Sequence, residues 1–141
     1  MNKAIILFCL TSILLVSCYS NKNTEVEVIK LLETSESWNG DHLPDYLDGT
    51  PKITVLKVTI PPKTVLAVHK HPVINAGVLL KGEFMVVTEK RDTLRLKAGD
   101  AISEVVNTWH HGINNGTESA EIIVFYAGVE GSPITVLKEK N

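Results

Sequence analysis

The chain has 141 residues, with 14 Lys or Arg, 16 Asp or Glu and a formal net charge of −2. This length suits one domain, since single domains usually hold roughly 100–200 residues. Because acidic and basic residues nearly balance and no basic patch stands out, we expect no nucleic-acid partner.

The chain begins with an apolar segment that is short for a membrane span. Lys3 is followed by an apolar run that continues to Val16, whereas a spanning helix needs roughly 20 residues. A charged start and a short apolar run are typical of a signal peptide. The run ends in Leu-Val-Ser-Cys at 15–18, which resembles a bacterial lipobox and implies cleavage before Cys18 and lipidation of its thiol. Plain secretion with an accidental cysteine is the alternative.

These features predict a signal peptide at 1–17, a polar tether at 18–24 and a folded domain at 25–141. A lipidated Cys18 would anchor the domain stably, because several acyl chains hold a protein where one chain gives only marginal binding. We therefore expect a cell-envelope protein that meets the membrane through its lipid anchor only. With Cys9 removed and Cys18 lipidated, the mature domain has no thiol for a disulfide.

From residue 25 onward the sequence predicts an all-β domain. Alternating or β-branched segments are separated by Gly, Pro and Asn, at a spacing that suits a sandwich or barrel. The expected strands are 26–34, 52–60, 65–71, 76–81, 83–88, 93–96, 101–106, 112–114, 120–127 and 134–137. Residues 26–32 do not alternate cleanly, so a short helix is the alternative there. Residues 37–50 are expected to form a long loop.

His69 and His71 occupy alternate positions of one expected strand. Alternate residues of a strand leave the same face, so both imidazoles should lie on one face, with Val65 and Ala67 behind them. Two imidazoles placed in this way can bind one metal ion if a third ligand comes from elsewhere. Taken alone, the pair is more often simply polar.

The spacing of these histidines with later glycines, a third histidine and an asparagine resembles the cupin superfamily. The residues that match its two motifs are His69, His71, Gly82, Gly99, His110 and Asn114. Lys63, Asn75, Val105 and Asn107 stand where the family has Gly, Glu, Pro and Gly. The resemblance covers most of the mature chain. It implies a double-stranded β-helix, or jelly-roll barrel, with a metal held by His69, His71 and His110.

The family's metal-binding Glu is replaced here by Asn75. An amide oxygen is neutral and a weaker donor than a carboxylate, so the resemblance implies a more electrophilic and less tightly bound ion. Glu104 could compensate, because it lies on the second-motif strand near the histidines. The ordinary alternative is an outward, solvated carboxylate. We therefore regard Asn75 and Glu104 as candidate ligands or as groups that support the ligands.

Four further side chains are candidates for the surroundings of the site. Tyr126 could donate a hydrogen bond to a bound ligand, and Trp109 could form part of a pocket wall. His111 should point away from His110 if both lie on a strand. His42, in the long loop, is expected to be exposed.

Two functions remain open on this basis. The first is a mononuclear metal enzyme, such as a dioxygenase, whose ion activates O₂ or acts as a Lewis acid on a small molecule. The expected ion is Fe(II), with Mn, Ni or Zn as alternatives. The second is a non-catalytic module that captures a small molecule or the metal itself. A barrel with vestigial histidines is a third interpretation, and a homodimer is expected because cupins often pair through their sheets.

Overall fold

The computed structural model describes residues 25–139. The expected signal peptide, the tether and the lipidated Cys18 lie outside these residues. No helix in the described part of the chain is long and apolar enough to cross a membrane.

The described chain folds into ten β-strands, which confirms the predicted all-β class. The strands are β1 (Pro51–Ile60), β2 (Thr64–Val65), β3 (His69–Lys70), β4 (Ile74–Lys81), β5 (Glu83–Thr88), β6 (Thr93–Lys97), β7 (Ala101–Ser103), β8 (His110–Asn114), β9 (Ala120–Val129) and β10 (Val136–Leu137).

The strands form two antiparallel sheets. The first sheet has the order β1-β9-β4-β7, and the second has the order β10-β3-β8-β5-β6, with β2 paired to β8. Strands that follow one another along the chain therefore alternate between sheets in several places, as in a jelly-roll barrel. One face of each sheet points inward, because alternate residues of a strand leave opposite faces. Burial alternates in this way along β4 and β8.

The hydrophobic core lies between the sheets. Its buried residues are Ile60, Leu79, Phe84, Val86, Leu96, Ile102, Ala120 and Ile122. Phe84 packs directly over Gly112 of β8, where an added Cβ would lie 2.1 Å from the ring. Gly112 therefore gives the aromatic ring the room that any other residue would occupy.

The strand predictions hold for most of the barrel, although the strand expected at 101–106 ends at Ser103 and the one expected at 134–137 begins at Val136. Two further predictions fail. Residues 26–34 form neither strand nor helix, and their apolar side chains are exposed, from Val26 at 91% to Leu32 at 42%. The single strand expected at 65–71 is divided into β2 and β3 by irregular backbone at 66–68. This irregularity changes which residues face inward. Leu66 packs against the core, while Val65 and Ala67, expected behind the histidines, are exposed.

Asn114 stabilises the end of the barrel where β1 and β8 end, from within. Its amide nitrogen donates to the backbone oxygens of Ile60 (2.9 Å), Pro61 (3.1 Å) and Glu118 (2.9 Å), and its Oδ1 accepts from the N–H of Gly116 (2.9 Å). The side chain is fully buried, so these bonds replace the water that it loses. Asn114 thus ties the end of β1 to the turn after β8.

Candidate metal centre

Three histidines from separate places in the chain meet at one end of the barrel. His69 of β3 pairs with His110 of β8, and His71 forms an isolated parallel bridge with Val106. The ring centroids of His69 and His110 are 4.5 Å apart, and those of His71 lie 4.9 Å from His69 and 5.1 Å from His110. One nitrogen from each ring lies within 4.8 Å of the other two, so the three residues could hold a metal ion.

Backbone carbonyls orient all three rings. Nδ1 of His69 lies 2.7 Å from the backbone oxygen of Ala67, and Nδ1 of His71 lies 2.7 Å from that of Ile134. Nδ1 of His110 lies 2.8 Å from the backbone oxygen of Thr108. A carbonyl oxygen can only accept, so Nδ1 carries the proton and Nε2 keeps its lone pair. The three rings therefore present unprotonated nitrogens, which is the form that binds a metal.

Burial keeps these histidines neutral. It lowers the pKa of His71 from 6.5 to about 4, and it also lowers the pKa values of His69 and His110. The hydrogen bonds to backbone carbonyls oppose this effect without cancelling it. Neutral imidazoles need release no proton when an ion binds, so the donor set fits a divalent cation at neutral pH.

Asn75 and Glu104 both lie beside the histidines and are both buried, with exposed fractions of 3% and 8%. The N–H of Glu104 donates to the backbone oxygen of Asn75 at 3.1 Å. Glu104 therefore points inward, and the outward alternative is wrong. Its Oε2 lies 4.0 Å from Nε2 of His110. Burial raises the pKa of its carboxyl, against the effect of hydrogen bonds from Val105 and Trp38.

The histidines form the polar end of an internal cavity of about 220 Å³. Its remaining wall is mainly aliphatic and aromatic and comes from both sheets, including Leu56, Val58, Leu66, Phe84 and Val124. Sites for drug-sized ligands usually measure roughly 300–1,000 Å³. The cavity therefore suits a small ligand with an apolar body. A larger depression of about 380 Å³, lined by Arg95 and Lys97 among others, does not include the histidines.

The other candidates divide between this cavity and the surface. Tyr126 lines the cavity with its ring centroid 5.4 Å from that of His71, and burial raises its pKa. Trp109 does not line it; Lys70 and Lys138 place their ammonium groups 5.0 and 5.7 Å from its ring. His42 is exposed and lies 3.6 Å from Glu36. His111 is half-buried on the opposite face of β8 from His110.

The sequence did not reveal the partner of Glu104. Trp38 lies in the long loop and donates from its indole Nε1 to Oε1 of Glu104 at 2.8 Å. No local pattern connects two residues so far apart in the chain. The residue type did not single out Trp38 either, because the same loop also contains Leu43, Tyr46 and Leu47.

The inward-facing histidine cluster in a two-sheet antiparallel barrel defines a cupin-type barrel with a candidate metal site. The family model described as "Cupin domain" matches residues 56–126, which is half of the chain. The chain therefore belongs to the cupin domain family. The comparison with curated proteins gives no significant match.

Solved structures share the fold at low sequence identity. An uncharacterised conserved protein with a double-stranded β-helix domain from Klebsiella pneumoniae is 22% identical with a TM-score of 0.55, covering 82% of this chain and 100% of that one. A DMSP lyase from Ruegeria pomeroyi is 21% identical (TM-score 0.52; 61% and 43% covered). Oxalate oxidase in complex with glycolate is 20% identical (TM-score 0.52; 60% and 45% covered). The chain spans under half the length of the last two structures.

Proposed function

We propose that this protein is a metal-dependent cupin enzyme of the oxygenase type that acts on a small, mainly apolar molecule. The observation that carries this proposal is the convergence of three neutral histidines in the wall of a mainly apolar cavity. Three imidazoles leave coordination positions free for a substrate, as catalytic metal sites require.

Fe(II) is the ion that we propose, with Mn, Ni or Zn as alternatives. Imidazole donors suit Fe, Ni and Zn, so the ligand type alone does not select among them. When bound, such an ion would supply O₂ activation or Lewis-acid polarisation of the substrate. Two of the similar structures are a lyase and an oxidase, which supports small-molecule chemistry in this fold without identifying the reaction.

The protein's own side chains would position the substrate. The aliphatic wall would hold the apolar body and exclude water from it. Tyr126 would donate a hydrogen bond to a polar group of the substrate near His71, because its raised pKa keeps the phenol protonated. The carbonyls behind each imidazole would hold the three rings in place.

Oxygen consumption tests this proposal. The mature protein is loaded with Fe(II) without air and then exposed to O₂ with a panel of small organic acids, thiols and diketones. We expect uptake of O₂ with at least one compound and its loss in His110→Ala, while His111→Ala stays active. Tight binding of a compound without turnover under any metal would instead support the non-catalytic binding module.

We also propose that the domain is attached to the membrane of the cell envelope by lipid at Cys18. Its support is the short apolar run before a lipobox-like tetrapeptide in the sequence. Expression of the full chain and of Cys18→Ser, followed by membrane fractionation, tests the attachment. The wild type should sediment with membranes and the variant should not. Equal distribution of the two proteins would contradict lipidation.

A further inference from the structure

Glu104 directly follows β7 and faces Asn75 of the neighbouring strand β4. The register Ala76↔Ser103 in the β4–β7 pair continues to Asn75 and Glu104, where the N–H of Glu104 donates to the oxygen of Asn75. Directly opposed residues have Cβ atoms about 4.5–5.5 Å apart. Both side chains line the cavity. A carboxylate at 104 therefore reaches nearly the same part of the cavity as a carboxylate at 75 would.

The two oxygens of Glu104 have different surroundings. Oε1 accepts hydrogen bonds from the indole of Trp38 at 2.8 Å and from the N–H of Val105 at 2.9 Å. Oε2 accepts no hydrogen bond from the described residues and lies 4.0 Å from Nε2 of His110. The two donors on Oε1 fix the carboxylate so that its free oxygen is directed at the histidine cluster.

The separation of Oε2 from His110 suits two ligands of one ion. Ligand atoms that each lie about 2.0–2.2 Å from an ion are roughly 3–4 Å apart. Glu104 is outside the group whose atoms all lie within 4.8 Å of one another, so its oxygen is farther from at least one other histidine. Binding would therefore require Oε2 to move closer to the other histidines while Oε1 keeps its hydrogen bond from Trp38.

We propose that Glu104 is the anionic ligand of the metal centre and that Trp38 positions it. Glu104 would thus supply the carboxylate that Asn75 lacks, from the position that faces Asn75. This inference rests on the proposed function, because it requires that the three histidines bind a metal.

The loop that carries Trp38 is itself attached to this strand. The N–H of Trp38 donates to the Ser103 oxygen at 2.9 Å, and the Ser37 hydroxyl donates to the Glu104 oxygen at 3.0 Å. Ser37 is buried. The loop therefore contacts both the backbone and the side chain of Glu104. The contact with the side chain comes from the indole N–H of Trp38, which a phenyl ring lacks.

Titration of the metal-free mature protein with Co(II) tests the proposal, with affinity and the visible absorption spectrum as readouts. We expect Glu104→Gln to weaken Co(II) binding at least tenfold and to change the spectrum. The double variant Asn75→Glu/Glu104→Gln should recover most of the affinity, since it returns the carboxylate across the strands. Glu130→Gln, at an exposed position, is the control and should bind as the wild type does.

Trp38→Phe separates positioning from packing. It should weaken Co(II) binding severalfold in the wild type but not in the Glu104→Gln background, because a structural defect would act in both. Unchanged Co(II) binding in Glu104→Gln, with loss of binding in His110→Ala, would overturn this inference and leave the three-histidine site standing. Unchanged binding in His110→Ala would overturn the proposed function instead. Failure of the double variant to recover affinity also counts against Glu104 as a ligand.

Discussion

The carbonyl behind each histidine decides which nitrogen faces the cavity. The oxygens of Ala67, Ile134 and Thr108 accept from Nδ1 and leave Nε2 as the ligand atom. Main-chain oxygens cannot be lost by substitution, so this orientation depends on the backbone path after β2 and around β10. The site is therefore built by the irregular segments as much as by the strands.

His71 makes the stability of the metal-free protein sensitive to acid. Its pKa is lowered to about 4 in the fold and is 6.5 ordinarily, so the unfolded chain takes up its proton first as pH falls. The contribution of neutral His71 is complete above pH 6.5 and is lost as the pH falls through 4. We expect the urea midpoint of the wild type to fall more between these values than that of His71→Asn.

Glu104 acts in the opposite direction, because its pKa is raised by burial and protonation favours its folded form. The wild type and His71→Asn both keep Glu104, so the contribution of Glu104 cancels when their urea midpoints are compared. If His71→Asn loses as much stability in acid as the wild type does, His71 is not the group responsible.

Gly112 offers a residue-level test of the core. An added methyl group would lie 2.1 Å from the ring of Phe84, and overpacking of this kind costs about 1–3 kcal/mol. Gly112→Ala should lower the free energy of unfolding by this amount in urea. Gly128→Ala is the matched control, because its Cβ would find only contacts of 3.4 Å or more. Equal stabilities of the two variants would contradict the described packing.

At the scale of elements, the strands of the barrel were predictable because each carries its own alternation. The strand expected at 83–88 is β5 as observed, and 120–127 is nearly all of β9. The alternation of apolar and polar residues is written in each segment itself, so it can be recognised without knowing how the strands pair. The pairing of strands follows from the resemblance to a family and not from any local pattern.

The failures have a common physical cause. Residues 26–34 have the composition of a strand, yet none of them makes a backbone hydrogen bond with another described residue. Strand structure requires a partner, which the segment itself cannot reveal. The break at 66–68 and the contact of Trp38 with Glu104 likewise depend on distant parts of the chain. The three histidines were predictable from spacing, whereas the inward direction of Glu104 was not.

Asn114 joins elements rather than filling space. Replacement by Ala would leave the carbonyls of Ile60, Pro61 and Glu118 without this donor, and each buried group left unpaired costs about 1–3 kcal/mol. We expect Asn114→Ala to lose at least this much stability in urea and to bind Co(II) normally if it remains folded. A stability equal to the wild type would show that water replaces the amide at no cost.

The homodimer expected from the sequence has a suitable surface on the first sheet. Val55 and Phe125 lie side by side on its outer face and are 52% and 50% exposed. We propose that a second copy covers them. Light scattering should give a dimer for the wild type and a monomer for Val55→Lys/Phe125→Lys. Leu137→Lys, at a 66% exposed position on the other sheet, should stay dimeric. A monomeric wild type would contradict the expectation.

At the scale of the whole molecule, metal binding should stabilise the barrel. The site joins β3, β8 and the segment before β4, and an ion that binds only the folded state adds about 2.7 kcal/mol at a hundred times its Kd. For a domain of this size we expect a rise in Tm of about 10 °C with Co(II). The Tm of His110→Ala should not respond to the ion.

The hydrophobic core and the cavity share much of the barrel interior. Leu79, Leu96 and Ala120 belong to the core alone, whereas Ile60, Phe84, Val86, Ile102 and Ile122 belong to the core and also line the cavity. The apolar part of the cavity wall is therefore also part of the core, so replacing its residues should affect stability together with binding.

We propose above all that His69, His71 and His110 hold one divalent ion. Elemental analysis of the mature protein, purified without chelator, tests it most directly. We predict close to one divalent ion per chain in the wild type and in His42→Ala, whose histidine is exposed and belongs neither to the cluster nor to the cavity lining. We predict less than a tenth of that amount in His71→Ala and His110→Ala. Equal metal content in all four proteins would show that these histidines do not hold the ion.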